Sequence, residues 1–254
     1  MKISIAINKM KSEVNEIRWL KAQQAEENFW IHEHQTSRYI DPTGEGRSVS
    51  VESELSYFGN EVIRNYLLEA ACIVEVGCGP IGLIHFVPTP ALRIGVDPLM
   101  RSMERSGYID RRGVFRIEAR GEELPLGSDK ADVVICYNVL DHCESPNIVL
   151  AEILRILKPG GILLLQLHTI SEWAATFRAI ISWLDSPHPF HFSRSQVLCL
   201  ARNSGFELEF DGSFKRARRR IPASGLLSYD GLRHVGSNWI TQSVVNLRLR
   251  KPVV

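Results

Sequence analysis

Ile73-Val74-Glu75-Val76-Gly77-Cys78-Gly79-Pro80-Ile81-Gly82 is the stretch on which the fold turns. Four residues, apolar apart from Glu75, break into glycines spaced G-x-G-x-x-G. That pattern predicts a buried strand, a tight turn and a helix starting close behind it. Glycines in such a turn let backbone N–H groups approach a ligand with no Cβ in the way. Helix N-termini favour anionic groups. Taken alone, the run fits a dinucleotide-binding dehydrogenase as well as other cofactor-binding folds.

Beyond this stretch, strand and helix patterns alternate. Strands are predicted from Leu92 to Val96, ending at Asp97, from Phe115 to Glu118, from Ala131 to Asn138 and from Ile162 to Leu167. A helix from Asn147 to Leu157 is stopped by Pro159-Gly160-Gly161, and one from Ser193 to Asn203 is ended by Gly205. Phe206 to Phe210 and Val244 to Leu249 give the last two strands. The expected class is α/β: a Rossmann-like, mostly parallel seven-stranded sheet with helices on both faces and an antiparallel edge strand. Residues 1–60 are expected to form an N-terminal helical extension or cap. Val14, Ile17 and Leu20, with Phe29 and Trp30 further on, supply its packing face. A second helix is predicted from about Val51 to Glu69, with Tyr57, Ile63 and Leu67 or Leu68 inward. The domain proper spans 61–254, with inserts at about 171–190 and 211–242.

Composition bounds the function. The chain has 254 residues, enough for one α/β domain with appendages. A formal net charge of +1 gives no global field for nucleic acid or a membrane surface. Five cysteines, an odd number with no C-x-x-C pair, suggest neither a disulfide framework nor a zinc site, and no metal is expected. The cytoplasm fits best: the first residues lack the apolar core of a signal peptide, and the longest apolar run, Ile162 to Leu167, is too short to span a bilayer.

Four signals in order narrow the cofactor. Glu75-x-Gly77-x-Gly79 ends the first strand and Asp97 the second. Glu122-Glu123-Leu124-Pro125 follows the third. Asn138-Val139-Leu140-Asp141-His142 ends the fourth, and Leu157-Lys158-Pro159-Gly160-Gly161 precedes the fifth. This set resembles the class I S-adenosylmethionine-dependent methyltransferases, especially the branch with small-molecule and ubiquinone-type enzymes. The resemblance covers about Ile63 to Leu167. It implies that S-adenosylmethionine is the cofactor and S-adenosylhomocysteine the product. It places the cofactor against Glu75, Gly77, Cys78, Gly79, Asp97, Pro98, Gly121, Glu122, Asn138 and Val139. Gly77 and Gly79 would reach the methionine portion, and Asp97, an acceptor-only group, the ribose hydroxyls. The Lys158 to Gly161 turn reads as structural. Two positions depart from the family pattern. Ile81 stands where many relatives have the third glycine, which here is Gly82. Arg120 stands where relatives commonly carry an aspartate for the adenine amino group; arginine has no acceptor, so backbone or Glu122 must serve.

A sulfonium methyl is already electrophilic, so alignment of the nucleophile supplies most of the acceleration. His142, at the carboxyl end of the fourth strand, is the candidate catalytic base; the alternative is that it bonds a loop and shapes the pocket. Tyr137, His168 and His191 are the candidates for lining the acceptor pocket, each with a structural role as its alternative. His32 and His34 fall on different helix faces and do not suggest a metal. Lys215, Arg216 and Arg218 to Arg220 form a basic run, read either as a solvated loop or as an anion-attracting lid. The apolar residues Trp173, Phe177, Ile180, Ile181 and Trp183 predict an amphipathic helix serving as core, as a cap over the acceptor or as a homodimer contact. The leading reading is a methyltransferase acting on a small-molecule or glycan-precursor acceptor, with no nucleic acid partner and no membrane insertion. RNA (tRNA) methylation, a non-catalytic cofactor-binding module and an NAD(P)-dependent dehydrogenase are the alternatives.

Overall fold

The computed structural model describes residues 16–32, 45–87, 89–106, 113–177, 188–215 and 241–253. The apolar runs pair as the alternation predicts. Strands β1 (Cys72–Val76), β2 (Leu92–Val96), β3 (Phe115–Ile117), β4 (Ala131–Tyr137) and β5 (Leu157–Ile170) lie parallel to one another. Strand β8 (Thr241–Arg250) runs antiparallel between β5 and β6 (Glu207–Asp211). The order is β3-β2-β1-β4-β5-β8-β6, and an eighth, two-residue strand, β7 (Phe214–Lys215), pairs with β8 beyond the seven predicted. The order reverses between β1 and β4, which opens a crevice at their carboxyl ends.

Period-two alternation sends each strand's side chains to two cores. On one face Val74, Val76, Val134, Leu163 and Leu165 pack under helix α5 (Pro146–Ile156), through Val149, Leu150 and Ile153. Helix α7 (Arg194–Asn203) joins this face through Val197 and Ala201. On the other face Ile73, Val133, Ile135 and Leu164 meet helices α2 (Glu45–Ser56) and α3 (Asn60–Glu69), through Val51, Leu55, Ile63 and Leu67.

Three local expectations change. The single helix from Val51 to Glu69 is two helices. Gly59 sits at φ 101°, and the Phe58 carbonyl accepts from Arg248 Nη1 at 2.7 Å instead of continuing the helical ladder. Tyr57, placed inward by spacing, lies in that break and is 38% exposed. Strand β5 starts five residues earlier than predicted because Leu157 already pairs with Ala131, with an irregularity before Ile162 meets Val133. The 171–187 insert begins with the four-residue helix α6 (Glu172–Ala175), and Trp173 and Phe177 are more than half exposed. Ile180, Ile181 and Trp183 lie outside the described residues, as do His34, Val14 and Arg216 to Arg220. Among the described residues no helix is long and apolar enough to cross a membrane.

The N-terminal helix α1 (16–32) packs with a different face from the one its aliphatics suggested. Ile17, Leu20 and Phe29 are each at least 45% exposed, while Ala22 is fully buried. The stripe that faces the domain is Trp19, Gln23, Glu26 and Trp30, at helical spacing.

Candidate functional site

A cavity of ≈ 250 Å³ lies beyond the carboxyl ends of β1, β2 and β4. Its floor is the predicted glycine turn, and its roof is the Trp19-Gln23-Glu26-Trp30 stripe of α1. Every cofactor-binding residue predicted from sequence lines it: Glu75, Gly77, Cys78, Gly79, Asp97, Pro98, Gly121, Glu122, Asn138 and Val139. Tyr137 and His142 line it too. His168 does not; it lies inside the extended β5, opposite Val244. His191 also stands outside this cavity, its ring 6.1 Å from that of His188.

The glycine turn is built differently from the expectation. Gly77 N–H and Cys78 N–H both donate to the Val96 carbonyl, at 2.7 and 3.3 Å. Gly79 N–H donates to Asp97 Oδ2 at 2.9 Å. These donors tie β1 to the end of β2, so what the glycines offer the cavity is missing side-chain volume. Gly77 is at φ 69°, and a Cβ on it would stand 2.4 Å from Val139 Cγ2. A Cβ on Gly82 would stand 2.3 Å from the Cys78 carbonyl oxygen, so the third glycine is required where it stands.

Glu75, Glu122 and Asp97 each hold backbone N–H groups. Glu75 is 1% exposed and accepts from Leu83 N–H and Ile84 N–H at 3.1 and 2.7 Å, which shapes the turn from beneath. Glu122 Oε1 accepts from Glu144 N–H and Ser145 N–H at 2.8 and 3.0 Å, anchoring the approach to α5. Asp97 Oδ1 accepts from Leu99 N–H at 2.8 Å. Burial pushes the Asp97 carboxyl up to about 6 against two backbone hydrogen bonds that favour its charge; Glu26 adds to the rise and His142 opposes it.

Arg120, the departure noted in the sequence, bridges two elements. Its guanidinium lies 4.1 Å from the Trp19 ring centroid and pairs with Glu144. At the other end of the cavity, Trp30 Nε1 donates to Glu26 Oε1 at 2.8 Å. Glu26 Oε2 lies 3.9 Å from His142 Nδ1, and His142 Nε2 lies 3.9 Å from Asp141 Oδ1. Asn138 closes β4 in the left-handed region at φ 57°, and its buried Oδ1 has no hydrogen-bond partner. Sequence reasoning missed Trp19, Gln23 and Glu26, and gave Trp30 a packing role with no place at the site. Their i, i+4, i+7, i+11 spacing was present, but two of the four are polar, and an apolar-stripe reading passes over them.

Known proteins resemble this chain in sequence and in fold. Residues 74–165 match the family described as "Methyltransferase domain". The thiol S-methyltransferase TMT1B of Rattus norvegicus is 35% identical over 108 residues, 39% of this chain and 43% of that protein. An uncharacterized methyltransferase of Mycobacterium bovis is 38% identical over 108 residues, covering 41% of each chain. The chain therefore spans less than half the length of either relative. Among solved structures, a SAM-dependent methyltransferase from Methanosarcina mazei superposes with a TM-score of 0.54 at 16% identity, over 76% of this chain and 98% of that one. From the motifs, the sheet order and these matches, the chain carries a methyltransferase domain on the class I S-adenosylmethionine-dependent methyltransferase fold.

Proposed function

We propose that the chain transfers a methyl group from S-adenosylmethionine to a small-molecule acceptor. The observation that carries this reading is the cavity itself, with the glycine turn, Asp97 and Asn138 converging beneath α1. The residues fit the cofactor. The missing side chain at Gly77 makes room for Val139 against the turn, a Cβ on Gly79 would meet nothing nearer than Trp30 at 3.8 Å, Asp97 is an acceptor at the end of β2, and the orphaned Asn138 Oδ1 can accept from an amino group. When bound, S-adenosylmethionine supplies an electrophilic methyl on a good leaving group.

The protein's part is alignment and exclusion of water. Val139 and Tyr137 wall the carboxyl end of β4, and α1 covers the cavity from above. His142 accepts the proton of an acceptor that does not lose it freely, and Glu26, facing Nδ1, stabilises the resulting imidazolium. Four carboxylates, Glu26, Glu122, Asp141 and Glu144, stand around the site against the Arg120 guanidinium that pairs with two of them, a balance that favours a neutral or cationic small molecule over a phosphate backbone. The name of the rat relative, a thiol S-methyltransferase, supports a small acceptor.

Calorimetric titration tests the cofactor. S-adenosylmethionine and S-adenosylhomocysteine should bind and NADH should not; binding of NADH alone would sink the reading. A mass increase of one methyl in a panel of thiols, amines and phenols then identifies the acceptor class.

A further inference from the structure

We propose that Asp141, His142 and His188 form a site for a divalent transition-metal ion of the zinc class, beside the cavity that His142 lines. One carboxylate oxygen and two imidazole nitrogens from these residues lie within 4.8 Å of one another. A carboxylate with two histidines is a donor set that suits zinc, and three protein ligands leave the fourth position open. Around a tetrahedral zinc ion, donor atoms stand about 3.4 Å apart. The Asp141–His142 pair at 3.9 Å needs only a small inward movement, and the widest pair needs a side-chain rotation.

Several observations separate this cluster from an ordinary polar surface. Asp141 is 6% exposed, and its Oδ1 is buried with no hydrogen-bond partner. A buried, unsatisfied carboxylate oxygen is costly unless something binds it. The His142 and His188 rings have centroids 4.7 Å apart at an interplanar angle of 54°, a tilt that is not a flat stack. His142 also has a carboxylate facing its other ring nitrogen, where a metal-bound imidazole takes an outer partner, within reach of a small side-chain movement. Its Nδ1 faces Glu26 at 3.9 Å, and that carboxylate is held by the Trp30 indole. A proton fixed on Nδ1 leaves the Nε2 lone pair toward Asp141.

The backbone holds the ligands in place from three directions. His142 N–H donates to the Val139 carbonyl at 2.9 Å, and Phe190 N–H donates to the Asp141 carbonyl at 3.2 Å. Arg18 of α1 donates to the His188 carbonyl at 3.2 Å. Ligands from the β4 loop and from the segment before α7 are thereby tied to each other without the ion.

The chemical consequence rests on the methyl-transfer reading, whereas metal binding does not. His142 lines the cavity, so an ion held by it would stand at the cavity's edge, within reach of an acceptor. A thiol or hydroxyl bound there would lose its proton to solvent on coordination and keep a lone pair on sulfur or oxygen for the new bond to carbon, while the methyl–sulfonium bond breaks and its electron pair stays on the cofactor sulfur. His142 then serves as ligand, and the cation replaces it as the means of activating the acceptor.

The test uses the full chain, stripped with a chelator and free of cofactor. Titration with ZnCl2 should show one tight site per chain and a raised melting temperature. Co2+ should give the intense visible absorption of a tetrahedral complex. His188→Ala, at a half-buried position, should weaken binding at least tenfold and abolish that absorption, with circular dichroism unchanged. Asp141→Asn should do the same where it folds. Saturable binding that His188→Ala leaves intact, or no saturable binding by the parent chain, would overturn the site. S-adenosylmethionine titration of the same preparation reports the methyltransferase reading separately, so either result can fail without the other.

Discussion

Replacing Asp97 with asparagine isolates the charge from the shape. In the parent chain the Asp97 carboxyl titrates at about 6, above its ordinary 3.8, because burial penalises the ionised form. The native state therefore holds this proton more tightly than the unfolded chain. Its stabilising contribution is full below 3.8 and is lost as pH rises through 6, a span worth about 3 kcal/mol. Ribose hydroxyls need the acceptor that only the ionised form fully provides. Apparent cofactor affinity then follows the ionised fraction and should be about tenfold weaker at pH 5 than at pH 7.5. In Asp97→Asn, either Gly79 N–H or Leu99 N–H meets an amide NH2, losing a charge-assisted bond of about 1.5–3 kcal/mol. Relief of the buried charge offsets this near pH 7.5, so the variant should fold and melt close to the parent. Its affinity for S-adenosylmethionine should fall by about 2 kcal/mol, roughly 30-fold, and should no longer follow the Asp97 titration. Glu26 and His142 face Asp97, and any slope left in the variant belongs to them. Calorimetry at half-unit pH intervals reads both curves. A parent affinity flat between pH 5 and 7.5, or an unchanged slope in the variant, would refute the assignment of Asp97 to the ribose.

Gly77→Ala should destabilise by about 3 kcal/mol, because it combines left-handed backbone strain with a Cβ 2.4 Å from Val139 Cγ2; a melting curve matching the parent would contradict the turn geometry. Trp19→Ala removes the ring under Arg120 and should weaken cofactor binding by about 1–2 kcal/mol while the melting temperature barely moves. Arg248→Met leaves the buried Phe58 carbonyl without this donor and Glu209 with Arg250 alone, at a cost of about 2 kcal/mol in chemical denaturation. His142→Ala should depress turnover far more than cofactor affinity; unaltered turnover with the true acceptor would remove His142 from the chemistry.

The sheet was legible because its strands are short apolar runs with firm punctuation. β2 was bounded to the residue, with Asp97 marking its end, and α5 to within one residue, with the Pro159-Gly160-Gly161 turn marking its stop. What the motifs could not convey was direction. Glu75 carries a family signal, yet its carboxylate serves Leu83 and Ile84, and the turn's N–H groups serve Val96 and Asp97. Residue type does not reveal which of two hydrogen-bonding partners wins. The roof was invisible for another reason. Ile17 and Leu20 are the apolar residues of α1, but the helix turns them outward, because a ligand cavity is covered by amphipathic side chains. His188 belonged to no motif and is brought to His142 only by tertiary folding.

The stripe on α1 sets a rule for traffic. Eleven residues separate Trp19 from Trp30, which is about 16 Å of helix, and the two tryptophans touch opposite ends of one chamber. Trp19 sits with Arg120, and Trp30 acts through Glu26 on His142. A single rigid bar therefore bolts two doors. Under the proposed methyl transfer, spent cofactor and finished product would share one exit, because lifting the bar for one unseats it for the other. Loosening of residues 16–32 would then pace turnover, and changes on the outer side of that helix, far from any reacting atom, would be felt in the rate.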